Sequence, residues 1–209
     1  VTGISIRSGY IPSQVIKAVK EYEKIAQRVN IVEGNFNTTT DSIRSYIDRY
    51  ISLNNVKPIV IIDYLQIIPG DMKLGDKQRV DNIVTELKRI SRDFDIILFV
   101  ISSLNRGSYL IPTDFESFKE SGGIEYTADV IWGLQLQAIN DEIFNKEGKI
   151  KEKREKIKQA KAADPREIEL VCLKNRHGKP SFSCGFTYYP KFDLFSPDYP
   201  KFDLSSDPF

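Results

Sequence analysis

The sequence predicts an α/β domain: a largely parallel sheet flanked by helices, with an antiparallel β-hairpin towards the carboxyl end. Three observations carry this. Two uninterrupted apolar runs, IVII at 59–62 and IILFVI at 96–101, have strand length and β-branched content, as strands covered on both faces by helices do. Between and before them, apolar residues recur every three or four positions over helix-length stretches, and strand–helix–strand succession implies right-handed crossovers between parallel strands. The alternating segments 168–173 and 182–188, joined through Gly178, instead have the form of a hairpin.

Residues 1–10, with Gly3 and Gly9, read as a connection, and Pro12 is suited to open a helix. Val15, Ile16, Val19, Tyr22, Ile25, Ala26 and Val29 give that helix, over about 12–29, one apolar face. Ile31-Val32 is a short strand candidate. Thr38 to Asp41 supplies amino-terminal capping chemistry for a second helix with the face Ile43, Tyr46, Ile47, Tyr50 and Ile51. A strand over 59–65 follows, then an exposed loop over 71–78. Val80, Ile83, Val84, Leu87 and Ile90 mark a third helix, 96–101 a second strand, and 130–136 a third strand after a Gly122-Gly123 loop.

The segment 139–164 breaks this rhythm. Its mixed Glu and Lys at helical spacing predict a solvated helical insertion, although its lysine excess also admits a nucleic-acid patch. In a hairpin centred on Gly178, Ile168, Leu170 and Cys172 share a face with Cys184, Phe186 and Tyr188. The cysteines then become cross-strand neighbours, which in a reducing compartment are small buried hydrophobes rather than a disulfide. The tail repeats itself, YPKFDLFSPD at 189–198 and YPKFDLSSDP at 199–208, and reads as a surface extension and a candidate for disorder.

Composition sets outer bounds. With 209 residues, 41% of them hydrophobic and 28% charged, the chain has enough apolar material for one substantial core. Lys and Arg number 30 against 29 Asp and Glu, so any nucleic-acid contact must come from local patches. No apolar run is long enough to span a bilayer and no signal peptide opens the sequence, which predicts a cytoplasmic protein. Two cysteines exclude a four-thiolate zinc site. A first residue Val1 and a single Met, Met72, suggest a chain that starts inside a longer polypeptide.

Asp63 is the charged end of the first apolar strand run. In open α/β sheets ligands bind beyond the carboxyl ends of strands, where an aspartate can support Mg²⁺ beside a triphosphate. The same residue could equally cap the following turn. The second run likewise ends in polar residues, Ser102-Ser103-Leu104-Asn105-Arg106, at the place where a site belongs.

Taken in order, IVIIDYLQII, ISSLNR, FKESGGIEYTADVIWG and LKNRHGKP resemble the RecA-like motor domain of DnaB-type replicative helicases, over residues 1–194. The resemblance implies a RecA-like fold, ATP and Mg as cofactors, and single-stranded DNA as the track. By the same resemblance Asp63 is the strand-end aspartate that supports the metal, through water. Lys119, Glu120, Ser121 and Gly122 correspond to the loop that grips single-stranded DNA; glycine there lets backbone N–H groups approach phosphates without reading sequence. Lys174 and Arg176 correspond to the pair that reaches the nucleotide of the neighbouring subunit, a task for which a permanently charged planar fork is suited. The implied assembly is a ring, usually a hexamer, with primase and helicase loader as partners. His177 reads as a turn residue facing solvent.

Two departures accompany the resemblance. Ser103 stands where the family commonly has a phosphate-sensing glutamine, and Asn105 or a water would have to substitute. No Gly-x-x-x-x-Gly-Lys-Ser/Thr occurs in the 209 residues, so the phosphate cradle and its lysine are lacking. The expectation is therefore a partial motor domain over 1–194 with a tail at 195–209, inactive by itself in ATP hydrolysis and unwinding. Three rival readings remain: a non-enzymatic RecA-like subunit that binds DNA or a helicase ring, a recombination or repair ATPase of the same fold, and a plain DNA-binding module, for which the near-neutral net charge is poor support.

Overall fold

The computed structural model describes residues 13–118 and 122–198. The connection at 1–10, Pro12, the segment Lys119, Glu120 and Ser121, and the second tail copy at 199–208 lie outside the described residues. The described residues form two compact units, one drawn from 34–118, 122–133 and 171–182, the other from 13–33, 134–170 and 183–198.

In the first unit, α2 (Thr40–Asn54) begins where the capping residues predict. The hydroxyl of Thr39 accepts the Ser42 N–H, and Asn55 ends the helix in the left-handed region at φ 52°. Strand β1 (Ile59–Ile62) leads into a 3-10 turn at Leu65–Ile67, shorter than the expected 59–65. Helix α3 (Asp76–Phe94) crosses back, and β2 (Ile97–Val100) pairs with β1 in parallel, Ile59 opposite Ile97 and Ile62 opposite Val100. The predicted face of α3 is the centre of the core: Val80, Ile83, Leu87 and Ile90 are buried with Ile47, Leu65, Ile68, Ile96, Phe118, Ile124 and Ile131.

Double-sided burial of the parallel strands is not what the structure has. Val60, Ile62 and Leu98 pack on the core, whereas Ile59 is 64% and Ile61 69% exposed, with Ile97 and Phe99 beside them. Among the described residues helices cover only one face, and because side chains alternate along a strand the other half of each apolar run faces outwards.

The Gly122-Gly123 loop is a helix instead, α4 (Gly122–Thr127). Paired glycines disfavour a helix by local propensity, and tertiary bonds compensate: Asp81 on α3 accepts the Gly123 N–H at 2.7 Å, and Ile124 is buried. A methyl group on Gly123 would lie 2.4 Å from Asp81 Oδ1 and 3.1 Å from the Asp81 backbone, so close approach is what requires glycine.

Strand β3 (Val130–Leu136) belongs to a four-stranded sheet of order β3-β4-β5-β6, completed by β4 (Arg166–Asn175), β5 (Ser183–Tyr189) and β6 (Leu194–Pro197). The hairpin between β4 and β5 is as expected, but its register is not. Cys172 N–H donates to Phe182 O at 2.8 Å and Ser181 N–H to Cys172 O at 3.0 Å, with Ser181 at φ 58°. Two residues thus oppose one, a bulge with its first residue left-handed, and Cys172 faces Ser181–Phe182 rather than Cys184. Both thiols are free.

In the second unit, α1 (Ser13–Ala26) forms, yet its face Ile16, Val19, Tyr22 and Ile25 is exposed among the described residues. Ile31-Val32 has no strand partner and is not a strand. The charged segment contains α5 (Ile150–Ala162), a solvated helix whose one buried residue is Ile157; it packs on the 3-10 turns Gln137–Asn140 and Glu142–Asn145, in which Ile139 and Phe144 are buried. The first tail copy is ordered: β6 pairs antiparallel with β5, Tyr188 opposite Phe195, and their rings lie 4.4 Å apart.

Candidate functional site

Parallel pairing brings the carboxyl ends of β1 and β2 side by side, and hydrogen bonds extend beyond the strands. Ile101 N–H donates to Ile62 O at 3.0 Å and Leu65 N–H to Ile101 O at 2.8 Å. Asp63 therefore projects from the strand end as an exposed carboxylate, with no hydrogen-bond or ion-pair partner among the described residues. It caps nothing, which removes the turn-cap reading. The Asp63–Tyr64 peptide is cis.

Gln66 ties the two strand ends together. Its amide donates to Ser102 Oγ at 2.9 Å and its carbonyl accepts the Ser103 N–H at 3.1 Å. Ser103 thus lies at the same sheet end as Asp63, its backbone held and its hydroxyl unpaired among the described residues. Within IVIIDYLQII nothing local shows that Gln66, 37 residues upstream of Ser103, would hold it. Asn105 is committed elsewhere. Its amide donates to Glu116 O at 3.0 Å and Phe118 O at 3.2 Å, and its N–H to Ser117 O at 2.8 Å, so it secures the chain just ahead of position 119 and is not a free substitute for a sensing glutamine.

Lys174 and Arg176 form a second cluster. Lys174 Nζ donates to Glu125 O at 2.6 Å, and Arg176 donates through Nη1 to Asp129 Oδ1 at 2.8 Å and through Nη2 to Tyr126 O at 3.2 Å. Both cations thus sit at the carboxyl end of α4, where terminal carbonyls lack helical partners and the dipole favours positive charge. Asp129 Oδ2 also receives Lys88 Nζ from α3. The Lys88 hydrogen bond is the main reason that the Asp129 carboxyl is held below the ordinary 3.8, against a smaller upward push from burial; the charges of Lys88, Arg176 and His177 add to the lowering. Lys88 and Asp129, 41 residues apart, carried no sequence signal. His177 is exposed, its N–H donating to Asn175 Oδ1 at 3.3 Å.

No hydrogen bond or ion pair among the described residues joins the Asp63–Ser103 cluster to the Lys174–Arg176 cluster. Of the expected DNA segment, only Gly122, the first residue of α4, is described. No group of three or more His, Cys, Asp or Glu capable of holding a metal occurs among the described residues. An unpartnered single carboxylate fits Mg²⁺, which keeps several waters and takes one or two carboxylates beside phosphate oxygens, better than it fits a metal needing an all-protein cage.

Comparison with known proteins gives a consistent result. The family described as DnaB-like helicase C terminal domain matches residues 1–196. The chain is 29% identical over 176 residues to the replicative DNA helicase DnaB of Helicobacter pylori strain J99, covering 71% of this chain and 36% of that protein. It is 28% identical over 142 residues to the replicative DNA helicase DnaC of Bacillus subtilis strain 168, covering 66% of this chain and 27% of the relative. It therefore spans about a third of the relatives it matches. A solved structure of a DnaB-like replicative helicase, described with its interactions with primase, superposes with a TM-score of 0.71 at 21% identity over 93% of this chain and 45% of that one, a likeness of fold.

Proposed function

The chain belongs to the family of DnaB-like helicase C-terminal domains, and from that membership we propose that it is part of an ATP-dependent replicative helicase that translocates on single-stranded DNA and separates the duplex at the fork. The observation that carries this reading is the unpartnered Asp63 at the end of β1, at the same sheet end as Ser103, which Gln66 holds. In the proposal Asp63 would hold Mg²⁺ through water, the metal would neutralise charge on the triphosphate, and Ser103 occupies the place of phosphate sensing. Lys119, Glu120, Ser121 and Gly122 contact the DNA backbone. Lys174 and Arg176 serve the nucleotide of the adjacent copy in a cytoplasmic ring, hexameric by family habit, that works with primase and a loader. Residues 1–194 are then a partial motor domain with an insertion at 139–164, and 195–209 its tail.

The test is made in the full-length polypeptide that carries this chain. Arg176→Ala is expected to abolish DNA-stimulated ATP hydrolysis while nucleotide binding persists; undiminished hydrolysis removes Arg176 from the role. Lys119→Ala is expected to weaken binding to all single strands alike and to reduce the salt slope by about one charge. Loss on one sequence alone would show that the segment reads bases instead.

A second reading rests on the absence of a Gly-x-x-x-x-Gly-Lys-Ser/Thr motif from the 209 residues. In it the protein is a non-enzymatic RecA-like subunit that binds DNA or a helicase ring. Full-length protein that binds ring or DNA but turns over no ATP would favour it. The recombinase reading has less support, since the family matched is the helicase one.

A further inference from the structure

Arg176, the residue expected to act on a neighbouring copy, is held by its own chain at three points. Its guanidinium meets Asp129 Oδ1 at 2.8 Å and Tyr126 O at 3.2 Å, and its backbone N–H meets Asp129 O at 2.8 Å. Asp129 divides its carboxylate: one oxygen takes Arg176, the other Lys88. Lys88 and Asp81 lie about two turns apart on α3. Asp81 fixes the start of α4 through Gly123, and the carboxyl end of α4 supplies the Tyr126 carbonyl that receives Arg176.

We propose that Asp129 is a positioning residue that holds Arg176 in a withdrawn, in-chain position, and that Lys88 sets the strength of this hold by competing for the same carboxylate. The inference rests on the reading of Arg176 as a residue acting on the neighbour's nucleotide. To grip a phosphate with both arms of its fork the guanidinium must release Asp129 Oδ1 from Nη1 and the Tyr126 carbonyl from Nη2, since both arms are taken within its own chain. Lys88 makes the exchange feasible. When the arginine leaves, Asp129 keeps a cation and is not stranded beside the protein interior, which would otherwise penalise release. The side chains concerned are 27–45% exposed, so the hold is modest and reversible rather than a locked buried pair.

Two substitutions test this in the full-length polypeptide because they push Arg176 in opposite directions. Asp129→Asn removes the anion and is expected to raise ATP turnover without DNA by about fivefold or more, the lower end of ordinary coupling between sites. Lys88→Met leaves Arg176 the sole cation on Asp129 and is expected to lower DNA-free turnover. Asp129→Glu, which keeps the charge, should stay near wild type. General destabilisation would lower all three, so a decrease in Asp129→Asn or an increase in Lys88→Met overturns the proposal.

Arg176→Ala separates the two levels. If that variant hydrolyses normally, the reading of Arg176 fails; if it loses hydrolysis while Asp129→Asn leaves DNA-free turnover unchanged, only the hold by Asp129 fails. A readout independent of turnover uses the 209-residue chain itself: labelling of Arg176 by phenylglyoxal, followed by mass spectrometry. Faster labelling in Asp129→Asn and slower labelling in Lys88→Met is the expected result, and equal rates in all three proteins overturn the hold.

Discussion

Single side chains in this molecule do their work through pairings made at long range in the sequence. Gln66 shows how: one amide, donating to Ser102 and accepting from Ser103, fixes the loop after β2 against the loop after β1, so that Asp63 and Ser103 share an edge. Asp129 is the comparable residue in the other cluster, and its lowered pKa makes a pH prediction. Its carboxyl loses a proton more readily folded than unfolded, so its stabilising contribution is present above the ordinary 3.8 and is lost as pH falls through the depressed folded value. Asp129→Asn is therefore expected to be less stable than wild type in urea at neutral pH, with the gap closing on acidification below about pH 4. Parallel stability curves for the two proteins down to pH 2 would contradict this.

The elements differ in what holds them. α3 follows from its own sequence, an apolar face of Val80, Ile83, Leu87 and Ile90 that is buried as its spacing requires. α4 does not, because Gly-Gly at its start opposes a helix and the bonds from Asp81, Lys174 and Arg176 come from elsewhere in the chain. Gly123→Ala discriminates between local propensity and packing. Propensity alone predicts a gain of up to about 1 kcal/mol, whereas a Cβ against Asp81 predicts a loss of about 1–3 kcal/mol. A loss is expected in chemical denaturation, and a gain would mean that α4 and α3 can separate at little cost. In the second unit, Glu169 joins elements in a similar way. Burial alone would raise its pKa above the ordinary 4.5, but hydrogen bonds from Ser183, Asn140 and Gln135 outweigh that and leave it lowered.

At the scale of the whole molecule, no helix among the described residues covers one face of β1 and β2. Ile59, Ile61, Ile97 and Phe99 face outwards, Phe99 with Trp132 at 6.2 Å between ring centroids, and the 209 residues contain no phosphate-binding loop. The purified 209-residue chain is expected to show no ATP hydrolysis above background, with or without single-stranded DNA, in a phosphate-release assay. Robust turnover that survives further purification would mean that another segment of this chain cradles the phosphates. Among the described residues no helix is long and apolar enough to cross a membrane.

The sequence by itself determined the α/β class, the parallel pairing of β1 with β2, the face of α3, the hairpin and the strand-end position of Asp63. These follow from periodicity and short-range chemistry, which act within a few residues and so can be read along the chain. The same ordered motifs made the family legible. Only the tertiary structure decided that alternate residues of the parallel strands, Ile59 and Ile61 among them, are exposed among the described residues, that Cys172 opposes Ser181–Phe182 rather than Cys184, and that 194–197 is a strand. It alone also decided that Gln66 holds Ser103 and that Asp129 with Lys88 holds Arg176. Each of these depends on which segments the fold brings side by side, from adjoining strands such as β5 and β6 to residues 41 apart such as Lys88 and Asp129, and no local pattern encodes such a choice.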